Sequence, residues 1–222
     1  MDKHLFLFGG GPPFTPGLAR RFVDLAGGAE AEIGILCLDR PGWRDYMPRY
    51  IEELEACGVT RFRYLPLPTV SVEEAVKSLR TSTGIVIGGG DTSRYAGCIV
   101  DTAIGQAVRE RAESGVPVSG FSAGALICPE RCLISPKDNE EAVLQDRSGL
   151  GLIGGVAIAV HFSQWREEAH LRAVSERYPS GCEHYGIDEQ CGLYFRNGRL
   201  ERTEGEGLFR LEGGELRRIS VE

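Results

Sequence analysis

A chain of 222 residues with 42% hydrophobic and 26% charged content carries enough apolar material for one large core, and too little length for two. Its net charge of −7, with no compensating basic stripe, argues against nucleic acid as a partner. Only Leu5 to Phe8 are apolar after the first four residues, shorter than a signal-peptide core, and no run approaches a membrane span; the expectation is a single catalytic domain over 1–222, cytoplasmic and off the membrane.

Short β-rich apolar runs alternate with helical patterns along the chain. That is the signature of an α/β fold, a mostly parallel sheet with helices on both faces. His4 to Phe8 reads as the first strand and runs into Gly9-Gly10-Gly11. Thr15-Pro16 reads as an N-cap with proline in the first helical position, and Gly27-Gly28 stops that helix. Ile33 to Leu38 is the second strand, Trp43 to Cys57 a helix ending at Gly58, and Arg61 to Leu65 a third strand. Ser71-Val72-Glu73-Glu74 is a capping box that opens a short helix. Gly84 to Ile87 is a buried strand leading into Gly88-Gly89-Gly90-Asp91-Thr92, followed by a long helix over Ser93 to Ala112.

Val116 to Gly120 is the next strand, interrupted at Ser122, with a helix starting over Ala123 to Ile127. Val156 to Val160 is an apolar strand that delivers His161 to the same carboxyl edge as Ser122, and Gln164 to Arg177 is helical. The tail reads as two hairpins, one turning at Asn197-Gly198 and one at Gly213-Gly214. They form antiparallel strands on the edge of the same domain.

The seven cysteines form an odd set with no CxxC pair and sit mostly in apolar stretches, as reduced core thiols do. No cysteine spacing fits a metal, and neither GxGxxG nor GxxxxGK[ST] occurs; no cofactor and no metal are expected.

The sharpest chemical signal is Gly120-Phe121-Ser122-Ala123-Gly124, a GxSxG between a strand and a helix. A serine on such a turn is pushed off the carboxyl edge of the sheet, and the helix behind it aims backbone N–H groups at whatever it attacks. The alternative is an N-cap in a glycine-rich turn. Serine at neutral pH needs a base. Of the four histidines, only His161 directly follows an apolar strand at that edge, whereas His4 lies at the opposite end, His170 inside a helix and His184 in a polar loop. Two carboxylates, Glu189 and Asp138, compete to orient the base. The loop at Gly88 to Gly90 offers a phosphate cradle or, better beside a nucleophile elbow, an oxyanion hole from Gly89 or Gly90 with the Ala123 N–H.

These residues resemble the dipeptidase E and cyanophycinase family of serine peptidases, whose fold is similar to that of class I glutamine amidotransferases. The resemblance rests on Gly88 to Thr92, on Gly120 to Ala125, on Val160-His161-Phe162 with Arg166, and on Gly186-Ile187-Asp188-Glu189, in that order. Leu7 to Gly11 is similar as well. It implies a flavodoxin-like fold with Ser122 as nucleophile, His161 as base and Glu189 as orienting acid, or Asp138 in some accounts of the family. It further implies an aspartyl peptide as substrate, with Arg166 binding its carboxylate. Asp91 lies at the substrate edge where the family has asparagine or glutamine, Ala169 stands where a second arginine is expected, and Leu126 departs from the dipeptidase pattern.

The expected partner is a small peptide, and a homodimer is compatible with the sequence. The rival readings are an α/β-hydrolase esterase, whose order Ser, acid, His fits Asp138 but not Glu189, and a non-catalytic binding module that kept the amidotransferase-like fold. A glutaminase has least support, because serine holds the nucleophile position.

Overall fold

A computed structural model describes residues 1–221. The strands are β1 (His4–Phe8), β2 (Glu32–Leu38), β3 (Arg61–Leu67), β4 (Gly84–Ile87), β5 (Val118–Phe121), β6 (Arg131–Ile134), β7 (Gln145–Ser148), β8 (Val156–Val160), β9 (Glu183–Ile187), β10 (Gly192–Arg196), β11 (Arg199–Glu204), β12 (Leu208–Glu212) and β13 (Glu215–Ile219). The helices are α1 (Pro16–Ala26), α2 (Trp43–Tyr46), α3 (Pro48–Ala56), α4 (Val72–Thr81), α5 (Thr92–Tyr95), α6 (Ala103–Glu113), α7 (Ala123–Leu126) and α8 (Glu168–Arg177).

The main sheet runs β3-β2-β4-β5-β1-β10-β11, with the first five strands parallel and the β10–β11 hairpin added antiparallel to β1. Its pleat sorts the side chains onto two faces. Leu5, Leu7, Leu36, Ile85, Ile87 and Val118 pack in one core with Ala75 and Leu79 of α4 and Ala107 and Val108 of α6. Phe6, Phe8, Ile33, Ile35, Val86 and Phe121 pack in the other with Leu18 and Phe22 of α1 and Tyr50 and Leu54 of α3. Both faces are covered, which is why these strands are apolar without alternation. Pro66 lies in β3, at the sheet's edge, where its missing N–H costs no ladder bond.

A second sheet, β13-β12-β9-β8, stands beside the first, and β6 and β7 form a separate ribbon. The strand ahead of His161 therefore belongs to the second sheet, parallel to β9, and not to the sheet that carries Ser122. The two tail hairpins likewise part company: one extends the main sheet, while the other pairs β12 with β9. Edge pairing is decided by which exposed ladder lies within reach, and local sequence does not encode that.

Three expected helices are broken. Pro48, lacking an N–H, splits Trp43 to Cys57 at Met47. The Ser93 to Ala112 segment passes through a π-helical turn at Ala96–Val100 and stops at Thr102. The Thr102 hydroxyl donates to Ile99 O (2.8 Å) and accepts from the Ile104 N–H, capping α6. The Gln164 to Arg177 helix begins only at Glu168, because Arg166 adopts φ 54°. Of the expected capping box at Ser71 the N-cap half forms, its hydroxyl accepting the Glu74 N–H, while among the described residues the Glu74 carboxylate makes no return bond to Ser71. Thr15 makes no such bond. Its hydroxyl donates to Glu204 of β11, and that carboxylate takes the Gly17 and Leu18 N–H groups at 2.9 and 2.7 Å, a distant anion on the helix N-terminus.

All seven cysteines are unpaired, and burial raises the Cys37 and Cys191 thiols to about 12. Among the described residues no helix is long and apolar enough to cross a membrane.

Candidate active site

The carboxyl ends of three neighbouring strands, β4, β5 and β1, carry Gly88 to Gly90, Ser122 and Gly9 to Gly11. Ligand sites in open α/β sheets form at this edge. Ser122 sits between β5 and the single turn α7 at φ 49°, ψ −111°, a sparsely populated conformation costing about 1–3 kcal/mol. Packing holds it there. Its N–H donates to Phe8 O (3.0 Å), and its own carbonyl accepts from Ala125 and Leu126. The ring of Phe121 stacks on Phe8 with centroids 4.4 Å apart. Gly124 is required by close approach, since a Cβ there would lie 2.3 Å from the Ile87 carbonyl oxygen. With one turn behind the serine, free N–H groups rather than a long helix dipole face its hydroxyl.

His161 ends β8 with φ 49° and ties the second sheet to the first, its N–H donating to Gly9 O at 2.9 Å. Glu189 follows β9 and packs against Gly10, where a Cβ would come within 2.6 Å of the Glu189 carbonyl oxygen. The glycines after β1 therefore let two chain segments from the other sheet close over the edge. The result is a relay. The Ser122 hydroxyl lies 2.7 Å from His161 Nε2, and His161 Nδ1 lies 2.7 Å from Glu189 Oε1. A carboxylate only accepts, so the proton belongs on Nδ1, and Nε2 is left with the lone pair that accepts the Ser122 O–H. Trp165 stacks on the imidazole, centroids 4.3 Å apart and planes 14° apart, after its N–H has closed a turn on His161 O.

Asp138 lines the cleft on Ser122 but does not reach the histidine. Its Oδ2 accepts the Thr92 hydroxyl at 2.6 Å. Burial pushes its carboxyl above the ordinary range, against the lowering effect of that bond. Of the glycine amides, that of Gly89 donates to the buried Tyr50 hydroxyl (2.7 Å), so it is already engaged. Among the described residues, Gly90 and Ala123 donate to no other protein group, and Gly90 holds φ 153°. Asp91 is exposed and caps α5, accepting the Arg94 N–H at 2.8 Å. Arg166 is exposed and lines neither cleft at the site. Its backbone carbonyl and that of Trp165 accept from Lys137.

Residues 40–203 match the sequence profile of peptidase family S51. The chain belongs to that family. Among curated S51-like relatives it is 26% identical over 192 residues to the cyanophycinase of Nostoc sp. (strain PCC 7120), covering 83% of this chain and 64% of that one. It is 29% identical over 198 residues to the cyanophycinase of Synechococcus elongatus, covering 84% and 60%. The chain thus spans under two thirds of the length of these two relatives. In fold it is similar to a peptidase from an acI-B1 Actinobacterium, with TM-score 0.76, 19% identity, and 100% of this chain and 95% of that one covered. A candidate peptidase E from Listeria monocytogenes EGD-e superposes with TM-score 0.64 at 17% identity, covering 99% and 100%.

Of the residues that the sequence points to, the fold brings together Ser122, His161 and Glu189. Sequence reasoning missed Tyr50 and Trp165, and also Arg40 and Tyr46, which line the same cleft as Ser122 and Gly90. Trp165 was visible as the aromatic four residues after His161, a spacing that returns to one face across a turn. Nothing local marks Tyr50 as the partner of a glycine amide 39 residues away.

Proposed function

We propose that this chain is a serine-type peptidase that hydrolyses the amide bond of short peptides with an amino-terminal aspartyl residue. The observation that carries it is the unbroken relay from Ser122 through His161 to Glu189, with 2.7 Å at both links. Ser122 Oγ attacks the carbonyl carbon while His161 Nε2 takes its proton, and Glu189 stabilises the imidazolium through Nδ1–H. The oxyanion meets the free N–H groups of Gly90 and Ala123. His161 then gives the proton to the leaving nitrogen, the C–N bond breaks, and an acyl ester remains on Ser122. Water repeats the sequence: it loses a proton to His161, attacks the ester, and Ser122 leaves with that proton.

Family S51 membership supports the reaction class. The cyanophycinases among the relatives favour an aspartate-containing substrate, and a longer aspartyl polymer is the second reading. The order Ser122, His161, Glu189 along the chain, with Asp138 held by Thr92, disfavours the esterase rival. The test is fluorophosphonate labelling and Asp-X dipeptide hydrolysis in the unsubstituted chain and in Ser122→Ala. Loss of both in the variant, with an unchanged melting temperature, is expected. Hydrolysis that survives the substitution sinks the assignment.

A further inference from the structure

A serine peptidase that selects an acidic residue on the acyl side needs a cation in the cleft that holds the acyl group. Arg166 is not in that cleft, and Lys137 is committed to Glu167 and to the Trp165 and Arg166 carbonyls. One permanent cation does line the space beside Ser122 and Gly90. It is Arg40.

Arg40 hangs from the carboxyl end of β2, next to β4 and its Gly88 to Gly90 loop in the sheet order. Its backbone is fixed: the Arg40 carbonyl accepts the Trp43 N–H at 3.0 Å, and the preceding Asp39 N–H donates to Leu67 O at 2.8 Å. Its guanidinium carbon lies 5.6 Å from the centroid of the Tyr46 ring, within cation–π range. Tyr46 in turn is brought in at Gly11, where a Cβ would come within 2.9 Å of the tyrosine hydroxyl. Among the described residues Arg40 forms no ion pair, so its charge is not already neutralised. Among the described residues the one carboxylate lining that cleft, Asp138, accepts instead from Thr92.

Tyr46 and Gly11 also line a second cleft, on the outer side of His161, bounded by Pro12 to Pro16 and holding Arg49. Arg49 lies 5.1 Å from the same tyrosine ring and donates to Pro12 O. That cleft contains Glu53 and Glu189 as well, so it carries no net positive charge. The scissile carbonyl carbon must reach Ser122 Oγ while the leaving nitrogen points to His161 Nε2. The Arg40 side, with the nucleophile and the Gly90 amide, is then the acyl side, and the Arg49 side receives the leaving group.

We propose that Arg40, steadied by Tyr46, is the residue that selects an acidic acyl-side residue, by a charge-assisted hydrogen bond to its side-chain carboxylate. This rests on the proposed function. A site built to pair a carboxylate discriminates against the uncharged isostere, so the preference between them reads the pairing directly.

The experiment compares kcat/KM for Asp-Leu and Asn-Leu in the unsubstituted chain, Arg40→Met, Arg40→Lys and Arg166→Met, with fluorophosphonate labelling of Ser122 in the unsubstituted chain as a separate readout. The expected result is a preference for Asp-Leu that falls at least about tenfold in Arg40→Met and is partly restored in Arg40→Lys. Arg166→Met keeps the preference. An Asp-to-Asn ratio unchanged in Arg40→Met, or one that collapses in Arg166→Met instead, overturns the role of Arg40. A labelled chain that cleaves neither dipeptide, or both equally, also overturns it while leaving the nucleophile intact. A chain that does not label at Ser122 removes the proposed function and this assignment together.

Discussion

Ser122 and His161 share a positive φ, 49° in each, at the ends of strands in two different sheets. Both are docked on β1, Ser122 through Phe8 O and His161 through Gly9 O. The end of β1 is thus the common anchor of a pair separated by 39 residues. Positive φ in a residue with a Cβ is stored strain, and strain leaves a signature when the Cβ is removed.

Ser122→Gly should therefore unfold at higher denaturant than Ser122→Ala, by about 1 kcal/mol, although both lack the Ser122 hydroxyl. Urea unfolding of the two variants measures this difference. Equal midpoints mean the elbow stores no strain.

The two candidate acids separate cleanly. Glu189→Gln keeps the side chain's shape but stabilises the wrong imidazole tautomer, so kcat should drop by about 10²–10⁴-fold with KM little altered. Asp138→Asn should lower kcat far less, because its partner is Thr92. Since burial already disfavours the Asp138 charge, its melting temperature at neutral pH should not fall. Steady-state kinetics on one dipeptide decides, and a larger loss in Asp138→Asn reverses the assignment.

Tyr50→Phe deletes one oxygen and leaves the Gly89 N–H without its 2.7 Å partner. Gly89 is half-buried at the cleft, so water can take up part of the lost bond, and the cost is about 1 kcal/mol, the low end for an unsatisfied donor. The expected outcome is a loss of stability of that order, with turnover reduced as the Gly88 to Gly90 loop relaxes away from Ser122. Denaturant unfolding and kcat on the same samples test both halves.

The histidines outside the site set a pH dependence. His170 and His184 are buried, and burial pushes both imidazoles below their ordinary value. Each keeps a ring nitrogen with no partner among the described residues, Nδ1 of His170 and Nε2 of His184. In the unfolded chain they take up protons near pH 6.5, while the folded protein resists. Their contribution is fully present above that pH and is lost as pH falls through it towards the folded values, by at most about 1.4 kcal/mol per pH unit for each histidine. Urea midpoints between pH 7.5 and 5.5 should fall, and the His170→Gln/His184→Gln pair should flatten the decline. An unchanged slope in the pair assigns the effect elsewhere.

What the sequence determined by itself is what short-range chemistry fixes. Apolar runs marked β1, β2, β4 and β5 of the main sheet, because strands buried on both faces need no alternation, whereas β3 at the edge alternates exposed and covered positions. GxSxG located the elbow, since a strained turn restricts which residues surround it. The Ser71 N-cap and the Asn197-Gly198 turn are legible in the sequence, each being complete within four residues. The tertiary structure decided everything that depends on distant partners. It placed His161 on a second sheet, gave it Glu189 rather than Asp138, engaged Gly89 with Tyr50, and put Arg40 rather than Arg166 in the cleft with Ser122. Each of these turns on where one strand end lies against another. That is set by packing of the whole core, with glycines at Gly10 and Gly124 marking the contacts where backbones meet.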